Sequence, residues 1–195
     1  MIKESDEPGE RLAIDNPVLA TLRLVLRPPH ADDVPDLARL ANDRRIADML
    51  TRMPHPYGEA EARAFVAMSA APRRAGRSWA VTLADNGAFI GCAGLNETDD
   101  ALELGYWIGE PFWGNGYATE VAHALVDLAF RATTVPALAV QCRVINPASR
   151  RVIHKCGFQY AGQGMIDSLA AGRVAVERYV LDRGAWMSLR SWGRL

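Results

Sequence analysis

The segment between Ile108 and Thr119 combines residue types at a spacing that suits anion binding. Gly114 and Gly116 are separated by one residue, and they lie between a predicted strand and a predicted helix. Glycines allow the backbone to turn with its N–H groups pointing one way, and a helix start adds unpaired N–H groups and partial positive charge. A phosphate or pyrophosphate fits such a site, and the small Ala118 leaves room for close approach.

Two other phosphate-binding motifs do not fit this segment. A P-loop ends in Gly-Lys-Ser or Gly-Lys-Thr, whereas Gly116 is followed by Tyr117 and Ala118. A dinucleotide-binding fingerprint needs a third glycine near the start of a β-α-β unit, and that glycine is missing. A glycine-rich turn without a ligand remains the alternative.

Charge and composition restrict the class of protein that carries this loop. The 195 residues include 22 Lys and Arg against 23 Asp and Glu, so the formal net charge is −1. This balance argues against a general nucleic-acid binder and against a disordered acidic chain. Only Lys3 and Lys155 are lysines, and the other 20 basic residues are arginines. The arginines reflect genome base composition, or some are selected for bidentate phosphate contacts.

Cysteines and histidines indicate neither disulfides nor a metal site. Cys92, Cys142 and Cys156 form no C-x-x-C pair and sit among apolar residues, which is typical of buried thiols in a reducing compartment. The four histidines lack the spacing of metal ligands. The sequence shows no apolar signal-peptide core and no apolar run of about 18 residues. We therefore expect a cytoplasmic protein that binds no metal, membrane or nucleic acid.

Apolar periodicity predicts a mixed α/β chain whose elements would position the loop. Residues 1–17 are expected to form a flexible tail, 18–187 a single domain and 188–195 a C-terminal tail. Strands are predicted at 22–27, 78–83, 89–95, 102–108, 138–144, 158–161 and 174–181. Helices are predicted near 32–41, 44–50, 59–71, 117–132 and 147–156.

Four blocks of the chain resemble the GCN5-related N-acetyltransferase (GNAT) superfamily, and within it the ribosomal-protein (RimJ/RimL-like) branch. The blocks are T-L-R-L-V-L-R-P at 21–28, P-H-P-Y at 54–57, W-G-N-G-Y-A-T-E at 113–120 and N-P-A-S-R-R-V at 146–152. They occur in order between about Thr21 and Trp186, although Trp113 stands where the family has Gln or Arg. The resemblance implies a GNAT fold: a central, mostly antiparallel twisted sheet of six to seven strands, about four helices, and strands splayed at the cofactor site.

The resemblance also implies acetyl-CoA as co-substrate. Pantetheine and pyrophosphate would be bound by Trp107, Ile108, Trp113, Gly114, Asn115, Gly116, Tyr117, Ala118 and Thr119. Asn146 would cap a helix that begins with Pro147 and bind the pantetheine arm. Arg150 and Arg151 would reach the adenosine phosphates, with an ordinary solvated helix face as the alternative.

Acetyl transfer to an amine, the reaction that the resemblance implies, needs a group that takes the amine proton. Glu103 is the expected base, because strand alternation puts it on one face with Gly105 and Trp107, where desolvation would raise its pKa. A strand Glu paired with an arginine is the alternative. Glu97 and Glu120 are weaker candidates. Glu120 lies in a first helical turn, where an acid simply complements the helix dipole.

The same reaction needs a proton donor and an oxyanion donor. Many family members place a Tyr seven residues after the Asn, but that position is Ile153 here. In the RimJ/RimL-like branch the Ser of N-x-x-S takes this role, which points to Ser149, with helix capping as the alternative. A backbone N–H near Trp107 or Ile108 is the expected oxyanion donor.

The acceptor side is less defined by the sequence. By resemblance, His55, Tyr57 and Trp79 are expected to line the acceptor cleft, with plain packing as the alternative. The expected function is acetyl-CoA-dependent transfer of an acetyl group directly to a primary amine, either a protein N-terminus or a small molecule. The alternative is a non-catalytic acyl-CoA-binding regulatory module on the same fold. A homodimer is compatible with both.

Overall fold

The chain builds one mixed sheet of eight strands. The computed structural model describes residues 16–70, 76–98 and 102–192. The strands are β1 (Leu19–Ala20), β2 (Leu24–Arg27), β3 (Gly76–Leu83), β4 (Phe89–Glu97), β5 (Leu102–Ile108), β6 (Ala137–Arg143), β7 (Gln159–Ser168) and β8 (Gly172–Asp182). Their order across the sheet is β1-β2-β3-β4-β5-β6-β8-β7. All neighbouring strands are antiparallel except β5 and β6, which are parallel.

Six α-helices occur in the described residues. They are α1 (Val34–Ala41), α2 (Arg44–Ala47), α3 (Glu59–Ala70), α4 (Tyr117–Ala132), α5 (Pro147–Lys155) and α6 (Arg183–Trp192). Local signals account for the ends of α5: the Asn146 side chain accepts a hydrogen bond from the Ser149 N–H, and Gly157 follows with a φ of +86°.

Two apolar clusters lie on the opposite faces of the sheet. The larger cluster packs α4 and α5 against strand residues such as Leu104 and Leu138, with Leu125 of α4 fully buried. The smaller cluster packs α1 and α3 against Phe89 and Cys92 of β4. The sheet is therefore covered on both sides, and β5 lies inside it with a different environment on each face.

The parallel pair β5–β6 separates towards its C-terminal end. Pairing is confined to three positions, Leu102 with Leu138, Glu103 with Ala139 and Leu104 with Val140. Both strands continue beyond these positions, β5 to Ile108 and β6 to Arg143, without pairing to each other. This gap in the middle of the sheet is the splay that the resemblance implies.

The fold class is confirmed, with differences in detail. The sheet has eight strands where six to seven were expected. The additional strand is β1, which at two residues is too short to show an alternating pattern in the sequence. The described residues form six helices, where the resemblance implies about four. Helix α2 lies within the helix predicted near 44–50, and only the terminal α6 was not predicted. Helix α6 runs through residue 187, where the domain was expected to end, and residues 1–15 of the expected N-terminal tail lie outside the described residues.

The described residues contain neither a helix suited to cross a membrane nor a cluster of metal ligands. None of their helices is long and apolar enough to cross a membrane. No group of three or more His, Cys, Asp or Glu side chains among them could hold a metal ion.

Candidate active site

The glycine loop presents free backbone donors at the start of α4. Gly114 and Gly116 both have a φ of +79°, which favours glycine, and Gly116 is the N-cap of α4 without a side-chain cap. The N–H groups of Thr119 and Glu120 donate to the Gly116 carbonyl at 3.1 Å. The N–H groups of residues 117 and 118 have no carbonyl within the helix, so this end of α4 can receive an anion. The N–H of Thr119, expected to contact the cofactor, is already engaged.

The glycine loop is held in place by two of its own side chains and by one side chain from the segment before β2. The Trp113 indole Nε1 donates to the Ile108 carbonyl at 2.6 Å. The Asn115 amide donates to the carbonyls of Phe112 and Trp113 at 3.2 Å and 3.1 Å, and the Arg23 guanidinium donates to the Asn115 carbonyl at 2.9 Å. Trp113 and Asn115, both predicted to bind the cofactor, therefore position the loop through these side-chain bonds.

Glu120 holds β2 against the start of α4. Its carboxylate accepts hydrogen bonds from the Thr21 hydroxyl at 2.6 Å, the Arg23 N–H at 2.8 Å and the Arg23 guanidinium at 2.8 Å. Burial opposes ionisation, but these bonds hold the pKa of Glu120 below its usual range. Arg23 also lies 4.7 Å from the centre of the Tyr117 ring. A carboxylate engaged in this way is a structural clamp and not a base.

The gap between β5 and β6 contains an unpaired backbone donor. Residues of an antiparallel strand alternate in which neighbour their N–H and C=O groups face. The Gly109 N–H donates to the Ile90 carbonyl on the β4 side at 2.8 Å, so the Ile108 N–H faces β6. Since β6 does not pair with β5 beyond Leu104, this N–H is directed into the gap. It matches the donor expected near Trp107 or Ile108.

Glu103 lies next to the gap on the face covered by α1 and α3. Leu102 and Leu104 pack in the cluster of the opposite face, and Trp107 packs in the cluster of α1 and α3, so the expected alternation holds. Desolvation by burial raises the pKa of Glu103, while a hydrogen bond with Gln141 and the positive charges of two arginines oppose that rise. No arginine in the described part of the chain comes within 4 Å of this carboxylate. A half-buried carboxyl of raised pKa suits a general base.

Ser149 lies on the other face of the sheet, between the two separated strands. Its Oγ is 3.0 Å from the Oη of Tyr106 on β5, and it also hydrogen-bonds the Cys142 thiol on β6. The Ser149 N–H donates to Asn146 Oδ1 at 3.0 Å, so Asn146 caps α5 as expected. Burial raises the pKa of Tyr106. Ser149 therefore joins a polar pair beside the gap, and the capping bond uses its backbone, not its hydroxyl.

The two arginines predicted to reach phosphates differ in their surroundings. Arg150 donates to both oxygens of Glu177 at 2.7 Å and 3.0 Å and to the Val144 carbonyl at 2.8 Å. Its guanidinium is thus bound to a carboxylate of β8 and is not free for a phosphate. Arg151 is exposed on α5, and it makes no ion pair with any of the described residues.

The three residues expected to line the acceptor cleft differ from one another in their exposure to solvent. Trp79 is fully buried in the larger cluster, and its indole N–H donates to the Pro17 carbonyl at 2.9 Å. It cannot line an open cleft. Tyr57 is buried in the smaller cluster, where desolvation raises its pKa, and His55 is exposed. Of the three, only His55 has a side chain that reaches solvent freely.

Two residues of the site were missed at the sequence level. Gln141 contacts Glu103 across β5 and β6, and Tyr106 pairs with Ser149. Strand alternation could have placed Tyr106 on the face of α5, because it lies opposite the face of Glu103. Finding Gln141 requires the β5–β6 register, which no local signal specifies.

The sheet is thus split at the parallel pair β5–β6, and the helix that follows β5 begins with free N–H groups. The sequence model described as "Acetyltransferase (GNAT) domain" matches residues 23–159, more than half of the chain. The chain therefore belongs to the GNAT acetyltransferase family.

Several individual proteins are similar to parts or most of the chain. YkkB of Bacillus subtilis is 35% identical over 79 residues, which is 38% of this chain and 46% of YkkB. An FsC-acetyl coenzyme A-N(2)-transacetylase of Aspergillus fumigatus is 31% identical over 94 residues, 47% of this chain and 40% of the enzyme. The chain thus matches less than half the length of both. The solved structure of RimL, a ribosomal L7/L12 alpha-N-protein acetyltransferase in complex with coenzyme A, superposes with a TM-score of 0.72 at 23% identity, covering 87% of this chain and 98% of RimL.

Proposed function

We propose that the protein is an acetyl-CoA-dependent N-acetyltransferase that transfers the acetyl group directly to a primary amine, of a protein N-terminus or a small molecule. The observation that carries this proposal is the gap between β5 and β6, with Glu103 beside it on one face and Ser149 on the other. Family membership supports the same reaction class. Acetyl-CoA supplies an activated thioester, and the protein supplies the groups around it.

The residues present fit acetyl-CoA. The free N–H groups at the start of α4 suit its pyrophosphate, and the space above Gly114 is open, since an added Cβ would meet no atom within 4 Å. The Ile108 N–H, directed into the gap, suits the thioester carbonyl. Asn146 has its Oδ1 engaged in capping, which leaves its amide N–H groups for the pantetheine arm. Arg151 remains a candidate for the adenosine phosphates.

The proposed reaction divides the proton transfers between the two faces. Glu103, ionised, takes the proton from the acceptor amine, and the amine nitrogen bonds to the acetyl carbon as the carbon–sulfur bond breaks. The departing thiolate takes a proton from the Ser149 hydroxyl, and Tyr106 Oη, 3.0 Å away, can replace it. Glu103 releases its proton to solvent and Tyr106 takes one from solvent, so each turnover restores both groups and transfers, in net terms, one proton from the amine to the thiol.

The proposal is tested by assaying CoA thiol release from acetyl-CoA against a panel of free amines and N-terminal peptides. Mass spectrometry then locates the acetyl group on the nitrogen of the product. Release that depends on the amine supports the proposal. Acetyl-CoA binding without release to any amine would instead identify the chain as a non-catalytic acyl-CoA-binding module.

Replacing Ser149 with alanine should lower kcat by about 10-fold to 100-fold, because the leaving thiolate loses its nearby proton donor. The KM for acetyl-CoA should change little, since the cap from Asn146 binds the backbone N–H of residue 149 and survives the substitution. Steady-state kinetics at saturating amine measure both constants. Ser191→Ala, which removes a hydroxyl on α6 bonded to the Ser188 carbonyl, is the matched control, and equal rates for the two variants would remove Ser149 from the mechanism.

Gly114→Ala should weaken acetyl-CoA binding by about tenfold, because the new methyl group would occupy the space that a phosphate approaches. The positive φ should also cost about 1 kcal/mol of unfolding free energy. Gly87 is a close control, since its φ is +73° and its Cβ position is equally open, in the turn between β3 and β4. Calorimetry and urea unfolding should show the same stability loss in both variants and weaker binding only in Gly114→Ala. Equal Kd values would argue against a phosphate at this loop.

A further inference from the structure

Three arginines border the face of the sheet that carries Glu103. They are Arg143 at the end of β6, Arg178 on β8 and Arg52 in the segment after α2. Arg143 shares a strand face with Gln141, the residue that hydrogen-bonds Glu103. The charges of Arg52 and Arg178 both act on Glu103. The three arginines therefore lie on the same side of the sheet as the proposed base, and they are referred to below as the arginine cluster.

The tip of the β7–β8 hairpin contacts the segment after α2. The Ser168 hydroxyl donates to the Leu50 carbonyl at 2.8 Å, and the Leu169 N–H donates to the Thr51 carbonyl at 3.0 Å. These bonds fix the segment that carries Arg52 next to the hairpin that carries Arg178. Arg52 and Arg178 thus lie on adjacent segments beside the face that carries Glu103.

Arg143 has a buried donor without a partner. One Nη donates to the Asp48 carbonyl at 2.6 Å, but its Nε is buried and bonded to nothing in the described residues. Asp48 Oδ1 is likewise buried without a partner. An unsatisfied buried donor on a charged group is costly, so a ligand or water that accepts from Nε would stabilise the site.

The arginine cluster differs from arginines that pair with carboxylates. Arg23, Arg27 and Arg150 each pair with a carboxylate, at 2.7 Å, 2.6 Å and 2.7 Å. No ion pair with a described residue involves Arg52, Arg143 or Arg178. The cluster therefore keeps its charge available to a ligand.

We propose that the acceptor of this enzyme carries an anionic group, a carboxylate or a phosphate, in the same molecule as its primary amine, and that the arginine cluster binds that group while Glu103 receives the amine. The inference rests on the proposed function. Guanidinium groups bind carboxylate and phosphate oxygens through short, charge-assisted hydrogen bonds. The same cluster repels a polycation, because like charges brought together in a cleft disfavour binding. Polyamines are accordingly poor acceptors.

The test compares pairs of amines that differ in the anionic group. L-Methionine is set against L-methioninamide and O-phosphoethanolamine against ethanolamine, with spermidine as the polycation, all compared at equal concentrations of unprotonated amine. We expect kcat/KM to be about 10-fold to 100-fold higher for the anionic member of at least one pair, and which pair responds separates carboxylate from phosphate. Equal or higher values for the neutral amines or for spermidine would overturn the proposal.

Variants connect the preference to the cluster. Arg52→Gln/Arg178→Gln, which changes two exposed side chains, should lower the ratio of anionic to neutral kcat/KM about tenfold or more. Arg143→Gln should do the same. Arg173→Gln is the matched control, because Arg173 is an exposed arginine of the same strand as Arg178. An unchanged ratio in the double variant would exclude the cluster from recognition.

A separate readout distinguishes this inference from the proposed function. Calorimetric titration of the same amines into the protein saturated with CoA measures binding without turnover. If no amine is acetylated, the proposed function fails, yet preferential binding of the anionic amines that is lost in Arg52→Gln/Arg178→Gln would still support the arginine cluster. Transfer without any anionic preference would instead leave the acetyltransferase in place and remove the cluster.

Discussion

Glu103→Gln should lower kcat/KM for acetyl transfer by about 100-fold to 10,000-fold, the range that a general base contributes. Glutamine keeps the size of the side chain and can keep a hydrogen bond with Gln141, but it cannot take a proton. Acetyl-CoA binding should be unaffected, because the start of α4 and the Ile108 N–H are separate from this side chain. Steady-state assays at saturating acetyl-CoA measure the decrease in kcat/KM.

The pH dependence identifies the group that is lost. Glu103 acts as a base only when ionised, so activity rises as pH increases through its pKa, which burial raises above the usual range of a carboxyl. The wild-type profile should therefore show a rising limb from this group, displaced to higher pH than for an exposed carboxyl. In Glu103→Gln that limb should disappear, which leaves only the titration of the acceptor amine.

Glu97→Gln is the control for this substitution. Glu97 lies at the exposed end of β4 and pairs through its backbone with Leu102, one residue from Glu103. Its removal should leave both kcat/KM and the rising limb in place. If Glu103→Gln keeps more than about one tenth of the wild-type rate with the same pH profile, the amine proton goes elsewhere and Glu103 is a structural carboxyl.

Local signals explain why the glycine loop and the helix after it could be predicted. Helix α4 has the predicted bounds, Tyr117–Ala132, because the glycine before it and its apolar periodicity lie within one short segment. The cap at Asn146 and the terminating Gly157 were predictable for the same reason. Each depends on backbone preferences of a few neighbouring residues.

Contacts between distant segments could not be predicted in this way. The pair of Arg150 and Glu177 joins residues 27 apart, and the bond from Trp79 to Pro17 joins residues 62 apart. The sequence shows that a guanidinium lies on a helix, but the register of β6 against β8 decides which carboxylate it meets. The predictions for Arg150 and Trp79 therefore differ from the structure at the steps that depend on strand pairing.

Trp79→Ala should lower the free energy of unfolding by about 3–5 kcal/mol, the cost of removing a large aromatic side chain from a core. Trp79 is fully buried among residues of β2 and α4, and its indole N–H satisfies the Pro17 carbonyl. A loss of this size is a large part of the 5–15 kcal/mol that stabilises a typical domain, so urea or thermal unfolding should show a much lower midpoint.

A second substitution, Trp79→Phe, tests whether Trp79 supports the core or lines the acceptor cleft. Trp79→Phe keeps an apolar ring and loses the bond to Pro17, so it should retain the fold with a smaller loss of about 1–2 kcal/mol and with little change in the KM of the acceptor. His55→Ala, at an exposed position, should leave stability nearly unchanged. A stable Trp79→Phe variant with a strongly raised acceptor KM would indicate that Trp79 lines the acceptor cleft. A loss of stability without a kinetic change would assign Trp79 to the core. That core supports β3, which pairs with β4, and β4 in turn pairs with the strand that carries Glu103.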